Sequence, residues 1–414
     1  MPHIPPSGFP LNRRAFLALG SLAFAGSSWR ETSLWGADAK PLPKADQFIT
    51  GKDSRLIVHS AKTGEIETPL TLLREHAVTP KEILFVRNNQ LLPGTLTTEP
   101  ATPDHWTIEV KGLVEGAKPV SIEDLQKLPQ REIELVLQCS GNSRSRFAKA
   151  VKAEGVPWQH GAMGNVKHSG PLLKDVLAAA GIKLKPEAKY LTAEGKDTPP
   201  MAGAADFEHS LPLTDVLEKS ILALQMNGEP IPRTHGGPVR LITPGYYATM
   251  NVKWVSALRF EAGESTNYNH EGRYRTPLKA LKPGSHFTST LANSEPNWNM
   301  RIKSVIFAPL EGEAVSTGAT TINGVAWNDG TAKIEKVEVS TDNGQTWQQA
   351  ELKPANPYAW HHWSLTAKLP AGKATILSRA TDAQGRTQPL DGTTAWNPAG
   401  YAWNGVDSVT VAVK

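Results

Sequence analysis

The sequence predicts an α+β protein of two unlike parts, a mixed α/β domain followed by a β-sandwich of immunoglobulin type. From Trp106 onward, strand-like alternation and capped, helix-periodic segments take turns. From about Arg301 the chain holds only short β-like runs divided by turn clusters. No fixed-period repeat is present, which argues against a solenoid or propeller. With 414 residues, 39% of them apolar, the chain can build more than one core. The formal charge of +4 is too mild to imply a nucleic-acid partner. A single cysteine excludes an internal disulfide, a multi-cysteine zinc site, an all-cysteine iron–sulfur cluster and a CxxCH haem site.

Residues 1–39 read as a twin-arginine export leader. Arg13 and Arg14 precede the apolar run Ala15–Ala25, and Ala37-Asp38-Ala39 forms an A-x-A cleavage pattern before Lys40. That run has 11 residues, too short for a bilayer span of roughly 20. The expected location is the periplasm, reached by a chain that is exported folded with its cofactor seated. No membrane span is expected.

Residues 40–105 form a polar, Pro- and Thr-rich lead-in expected to deliver one strand, from the burst Glu82-Ile83-Leu84-Phe85-Val86. Thr107–Val110 alternates as a half-buried strand. Ser121-Ile122-Glu123-Asp124 caps a helix carrying Leu125 and Leu128, which Pro129 stops. Ile133, Leu135 and Leu137 alternate into Cys139. Pro171 opens a helix with Leu173, Val176, Leu177 and Ala180 on one face and Gly181 as its stop. Ile221–Met226 and Pro238–Thr243 read as strands, with the Asn227-Gly228 turn between them. Residues 263–300 form a polar, aromatic connector that crosses the active region. In the last third, Asp342-Asn343-Gly344 is a hairpin turn, and Trp347 is expected in the core.

The cysteine loop is the strongest chemical signal. Leu137-Gln138-Cys139-Ser140-Gly141-Asn142-Ser143-Arg144 places the thiol at a strand end, before small residues and then Arg144 and Arg146. Basic neighbours favour a thiolate, the form that binds metal. From the loop alone, a buried structural cysteine is an equally good reading. Arg87 ends an apolar strand, and there a satisfied surface charge is the plainer reading. His235 and Arg240 flank Gly236-Gly237-Pro238, and Lys253 lies beside an apolar run. Together these basic groups could clamp a phosphate and an oxyanion.

The segments FVRN (85–88), LQCSGNSR (137–144), MNGEPIPRTHGGPVRLITPG (226–245) and VKW (252–254) resemble, in order and spacing, the sulfite oxidase family of molybdenum enzymes. The resemblance implies a molybdopterin-binding catalytic domain over 40–290 and an immunoglobulin-like dimerisation domain over 291–414. It implies a molybdenum–molybdopterin cofactor with Cys139 as metal ligand. Arg87 and Arg144 then match substrate-anion arginines, Trp158 an aromatic wall and Tyr274 the tyrosine near the oxo group. His235, Arg240 and Lys253 match residues that hold the pterin phosphate, and Asp197 matches a pterin contact. The implied activity is oxidation of sulfite to sulfate in a homodimer, with an external c-type cytochrome as electron acceptor. A sibling molybdoenzyme acting on a sulfoxide or another sulfur oxyanion is the alternative. A non-enzymatic binding or adhesion protein would leave the cysteine loop unexplained.

Two positions depart from the family pattern. Asn89 stands where a cofactor-contacting histidine is usual, and Ala399 stands where a further pocket arginine is expected. Arg301 or another residue could replace that charge. No part of the sequence resembles the family's haem-binding domain.

Overall fold

The computed structural model describes residues 43–414 apart from 93, 102–104, 200 and 202. All of them lie in the compact unit Leu42–Lys414. The export leader lies outside the described residues.

The lead-in differs from the expectation. It forms a hairpin of Ile57–Ser60 with Glu65–Glu67 and a short helix, Leu70–Leu73. The burst at 82–86 is not a strand, and only Val86 makes a bridge, to Ile66. Its side chains serve two cores. Ile83 and Val86 pack with Ile49, Leu56 and Ile66. Leu84 and Phe85 pack with Leu137, Cys139 and Trp158. A run split between two cores turns instead of extending, and the turn carries Arg87 and Asn89 to the cavity described below.

A mixed five-stranded sheet follows, ordered Glu208–Pro212, Tyr190–Gly195, Val255–Glu261, Thr107–Gly112, Val120–Ser121. The pairing of Val255–Glu261 with Thr107–Gly112 is parallel. The capping box at Ser121 and Asp124 starts the helix Ile122–Gln126. The helix after Pro171 spans Leu173–Ala179 and buries Leu173, Val176 and Leu177. Among the described residues no α-helix exceeds seven residues, so strands dominate even this part. None is long and apolar enough to cross a membrane.

A four-stranded sheet is built on Arg131–Gln138 paired with Met163–Gly170. The stretch read as Ile221–Met226 divides between two sheets. Ile221–Ala223 pairs with Arg240–Ile242, whereas Gln225–Met226 pairs with Met163–Gly170. Asn227 and Gly228, at φ of 54° and 82°, close a tight hairpin onto Glu229–Pro230 and do not lead directly to Arg240–Ile242. Positive φ at both central residues is what a two-residue hairpin of this hand demands.

From Lys303 on, every strand belongs to one of two sheets, ordered in sequence numbers 303–308, 318–327, 361–369, 351–352 and 314–315, 407–413, 372–382, 334–340, 348–349. Ile306, Ile322 and Trp363 from one sheet share a core with Val337, Ile376 and Val411 from the other. Trp347 is not in it. It is half-buried, with the Arg379 guanidinium 4.0 Å from its ring centroid and its Nε1 donating to Gly344 O within the turn. Phe307, Trp327 and Trp360 instead enter the core of the first part. Trp327 Nε1 donates to Gln138 Oε1 at 2.8 Å, next to the cysteine loop.

Candidate active site

The strand Arg131–Gln138 ends on its last ladder partner, Met163, and delivers Cys139 into a cavity. Cys139 N donates to Ala162 O at 2.9 Å, and Asn142 N turns back to Cys139 O at 2.9 Å. Asn142 Oδ1 accepts from Ala162 N, which ties the loop to the neighbouring strand. Cys139 is 6% exposed.

Eight of the ten sequence-predicted residues line this cavity: Arg87, Asn89, Cys139, Asp197, His235, Arg240, Lys253 and Tyr274. Four of them, Arg87, Asn89, His235 and Lys253, come from the turns around 87, 235 and 253, which the sequence leaves far apart.

One side of the cavity is a chain of polar contacts. Glu65 lies 3.3 Å from Arg87 Nη1, and Arg87 Nη2 donates to Asn89 Oδ1 at 2.7 Å. Asn89 Nδ2 donates to the Tyr274 hydroxyl at 2.6 Å. A guanidinium has no acceptor, so the amide oxygen must face Arg87 and the NH2 must face Tyr274. Tyr274 then receives a bond on its oxygen and keeps its own O–H free. Its φ of 56° is a costly backbone state for a non-glycine residue, of a kind that clusters at functional sites.

The other side is basic. Lys253 Nζ donates to Asn88 Oδ1 at 2.6 Å and Thr234 O at 2.8 Å. Arg240 donates to His235 O and Asn251 O, each at 3.0 Å. Gly236 makes this approach possible, since a Cβ there would press on the Lys253 side chain. Behind His235 lies Lys52, which sequence reasoning missed. Its Nζ is 3.0 Å from His235 Nε2 and donates to Lys81 O and Leu84 O. Nothing in the polar lead-in marks Lys52 out from its neighbours. Burial pushes Lys52 down to about 7 and Arg240 to about 9, and holds Lys253 well below the ordinary lysine range. Burial raises Asp197 to about 6. Among the described residues, no carboxylate stands within ion-pair distance of Lys52, Arg240 or Lys253.

Two predicted residues do not line the cavity. Arg144 sits in a slot of glycines, where a Cβ on Gly141 or Gly400 would overlap its side chain. Its Nη1 donates to Val156 O at 2.6 Å and its Nε to Ala399 O at 2.8 Å. Burial lowers its pKa. Its Cζ lies 5.5 Å from the ring centroid of Tyr401, which stacks on Tyr274 at 5.1 Å. Trp158 is fully buried beside Cys139 and meets His59 edge-on at 5.0 Å.

A second buried network fixes the far end of the loop. Ser143 Oγ contacts His160 Nδ1 at 2.7 Å, and His160 Nε2 is 2.9 Å from Asp407 Oδ1. Lys303 Nζ donates to Ser143 Oγ at 2.6 Å, and Arg146 lies 3.6 Å from Asp407. The order Ser–His–Asp suggests a nucleophile, but Ser143 is wholly buried, so the network is a latch between the cysteine loop and the sandwich.

The residues fit a molybdenum–molybdopterin cofactor. Cys139 offers one soft ligand. Among the described residues no group of three or more His, Cys, Asp or Glu could hold a metal, so a metal here must arrive with its own donor atoms. Among the described residues these buried cations have no carboxylate at ion-pair distance, and a phosphate supplies a close anion.

The comparisons with known proteins agree. The family described as oxidoreductase molybdopterin binding domain matches residues 95–269, and the Mo-co oxidoreductase dimerisation domain matches 294–413. The fold and site therefore define a molybdopterin-dependent oxidoreductase. The mitochondrial sulfite oxidase of Rattus norvegicus is 33% identical over 387 residues, covering 90% of this chain and 69% of the relative. A nitrate reductase [NAD(P)H] of Hordeum vulgare is 31% identical over 351 residues, covering 78% and 38%. The crystal structure of the sulfane dehydrogenase SoxCD from Paracoccus pantotrophus superposes with a TM-score of 0.69 at 26% identity, covering 90% of this chain and 91% of that one. The chain belongs to the sulfite oxidase family of molybdenum enzymes.

Proposed function

We propose that this protein is a sulfite dehydrogenase. It takes sulfite and water to sulfate, two protons and two electrons, and passes the electrons to an external c-type cytochrome. The observation that carries this reading is the convergence, in one cavity, of a thiol, a pinned Arg87–Asn89–Tyr274 chain and a cation cluster with no carboxylate at ion-pair distance among the described residues.

When bound, the cofactor supplies oxygen-atom transfer and a two-electron couple. The chain's own residues bind and orient. Lys253, Arg240 and His235 would hold the pterin phosphate, with Lys52 backing His235, and Cys139 would hold the metal. Arg87 and Arg144 attract the dianion and direct its sulfur lone pair inward. The free O–H of Tyr274 donates to a substrate oxygen. Trp158 stiffens the wall behind Cys139 and keeps water out, which strengthens each charged contact.

Residues 1–39 are assigned as a twin-arginine leader for export to the periplasm. Residues 40–290 form the catalytic domain, and 291–414 form an immunoglobulin-like dimerisation domain. The match of 294–413 to the dimerisation family supports a homodimer.

A second reading rests on Ala399 and Asn89 together with the likeness to a sulfane dehydrogenase. It makes the substrate another sulfur oxyanion or a sulfoxide. Purified protein from a molybdopterin-competent host tests both. Near-stoichiometric molybdenum with sulfite-dependent reduction of cytochrome c supports the first. Metal-loaded protein inert to sulfite but active on a sulfoxide with reduced viologen supports the second.

A further inference from the structure

The proposed sulfite pocket, on which this inference rests, lacks one charge at Ala399, and the structure contains an unpaired cation at the same place. Arg87 is offset by Glu65 at 3.3 Å. Arg144 is buried with carbonyl partners only. These two arginines and Glu65 therefore bring about one net positive charge to a dianion. Ala399 lines a second cavity, which shares Tyr274 with the first. Arg273 lines that cavity too. Its Cζ lies 5.3 Å from the Tyr274 ring centroid, and the Tyr401 hydroxyl is its side-chain partner. No carboxylate pairs with Arg273 among the described residues. The buried Tyr401 phenol thus lies in the field of Arg273, Arg144 and Arg87 at once. Arg301, by contrast, places its backbone N at 3.4 Å from the Tyr247 hydroxyl, and its charge acts on Tyr247.

We propose that Arg273 is a specificity-determining residue that supplies the second net positive charge for a dianionic sulfur oxyanion, in place of an arginine at Ala399. The charge enters from the segment preceding Tyr274, not from the late-chain loop. Small Ala399 leaves room for the guanidinium, and the stacked Tyr274–Tyr401 pair holds it over an aromatic face. Arg87, Arg144 and Arg273, less the charge of Glu65, then balance the two charges of the substrate, and Arg87 also positions Asn89 and Tyr274.

The test is calorimetric sulfate binding and sulfite kinetics on molybdenum-loaded, full-length protein. Wild type, Arg273→Gln and Arg273→Lys are compared, with metal content and melting temperature as controls. Arg273→Gln is expected to weaken sulfate binding and raise the sulfite KM, each by about 10- to 100-fold, with metal content unchanged. Arg273→Lys falls between, and adding Ala399→Arg to Arg273→Gln recovers part of the loss. Fully loaded Arg273→Gln with unaltered sulfate affinity and sulfite KM overturns the inference and leaves sulfite oxidation standing. Arg273-dependent sulfate binding without sulfite turnover removes sulfite oxidation and leaves the charge standing. A wild-type protein that binds no sulfate overturns the inference as well.

Discussion

The cluster of Lys52, His235, Arg240 and Lys253 and the cluster of Arg146, His160 and Lys303 are both basic and largely buried. Only the second contains a carboxylate at ion-pair distance among the described residues, Asp407; Asp197 and Glu82 act on Lys253 and Lys52 from farther off. Burial works to raise Asp407, but His160 and Arg146 hold it well below its ordinary range. The second cluster is therefore complete within the protein and serves as a latch. The first is held by carbonyls and an amide, with depressed Lys253 and Arg240 facing a cavity and depressed Lys52 behind His235. A buried cation without a counter-ion destabilises a fold unless something else brings the charge. Charge balance, more than residue type, separates a binding site from a structural network here.

The largest expected effect falls on Cys139, which lines the cavity and begins the loop that the latch holds. Cys139→Ser is expected to abolish turnover with the melting temperature little changed, because a hydroxyl is a harder and weaker ligand than a thiolate. Near-native activity in metal-loaded Cys139→Ser would end the ligand assignment. Next is Asp407→Asn, which leaves buried His160 and Lys303 without their carboxylate. Stability should fall by about 3–5 kcal/mol in denaturant titration. A loss below about 0.5 kcal/mol would show that the latch is not a charge network.

Arg87→Gln and Arg144→Gln should each raise the sulfite KM by about 10- to 100-fold, from the loss of a charge-assisted contact of roughly 1.5–3 kcal/mol. Arg144→Gln should also lower the melting temperature, since it empties the glycine slot, whereas Arg87→Gln should not. Arg144→Lys should not restore function, because one ammonium cannot reproduce the planar fork that meets Val156 O and Ala399 O together.

The smallest effect is a pH dependence. Lys52 and Lys303 are both lowered to about 7 by burial. Between pH 7 and the unfolded lysine value near 10.5, the unfolded chain binds more protons than the native one. The melting temperature of cofactor-free protein should therefore rise as pH goes from 7 to about 10. Cofactor should flatten the part due to Lys52 and leave the part due to Lys303. A flat apo profile would contradict the unpaired state of the first cluster.

Much of this was legible in the sequence, and the remainder has physical reasons. The alternation Ile133–Leu137 announced the strand that carries Cys139, whereas Arg144 and Trp158, named through the family resemblance, do not line the cavity. The cavity residues His235 and Arg240 were legible because they flank the tight Gly236-Gly237-Pro238 stretch, and Lys253 because it lies beside an apolar strand. Lys52 was not, since one lysine in a polar lead-in looks solvated until its burial is known. The run at 82–86 misled because two cores claim alternate pairs of its side chains. Trp347 misled because an arginine across the sheet covers it in place of the core. Arg273 was hidden beside Tyr274, for only folding sets it against Ala399.

The most direct test replaces Lys253 with a neutral side chain of similar length. Lys253→Met and wild type are each prepared with and without cofactor, and molybdenum content and apo melting temperature are measured together. The first cluster predicts that metal content drops about 10-fold or more while the melting temperature of the cofactor-free protein rises, because a buried, uncompensated charge has been removed. Unchanged molybdenum with a lower apo melting temperature would mean that Lys253 is a structural cation like Lys303, and would contradict the assignment of this cluster as the anion site of the cofactor.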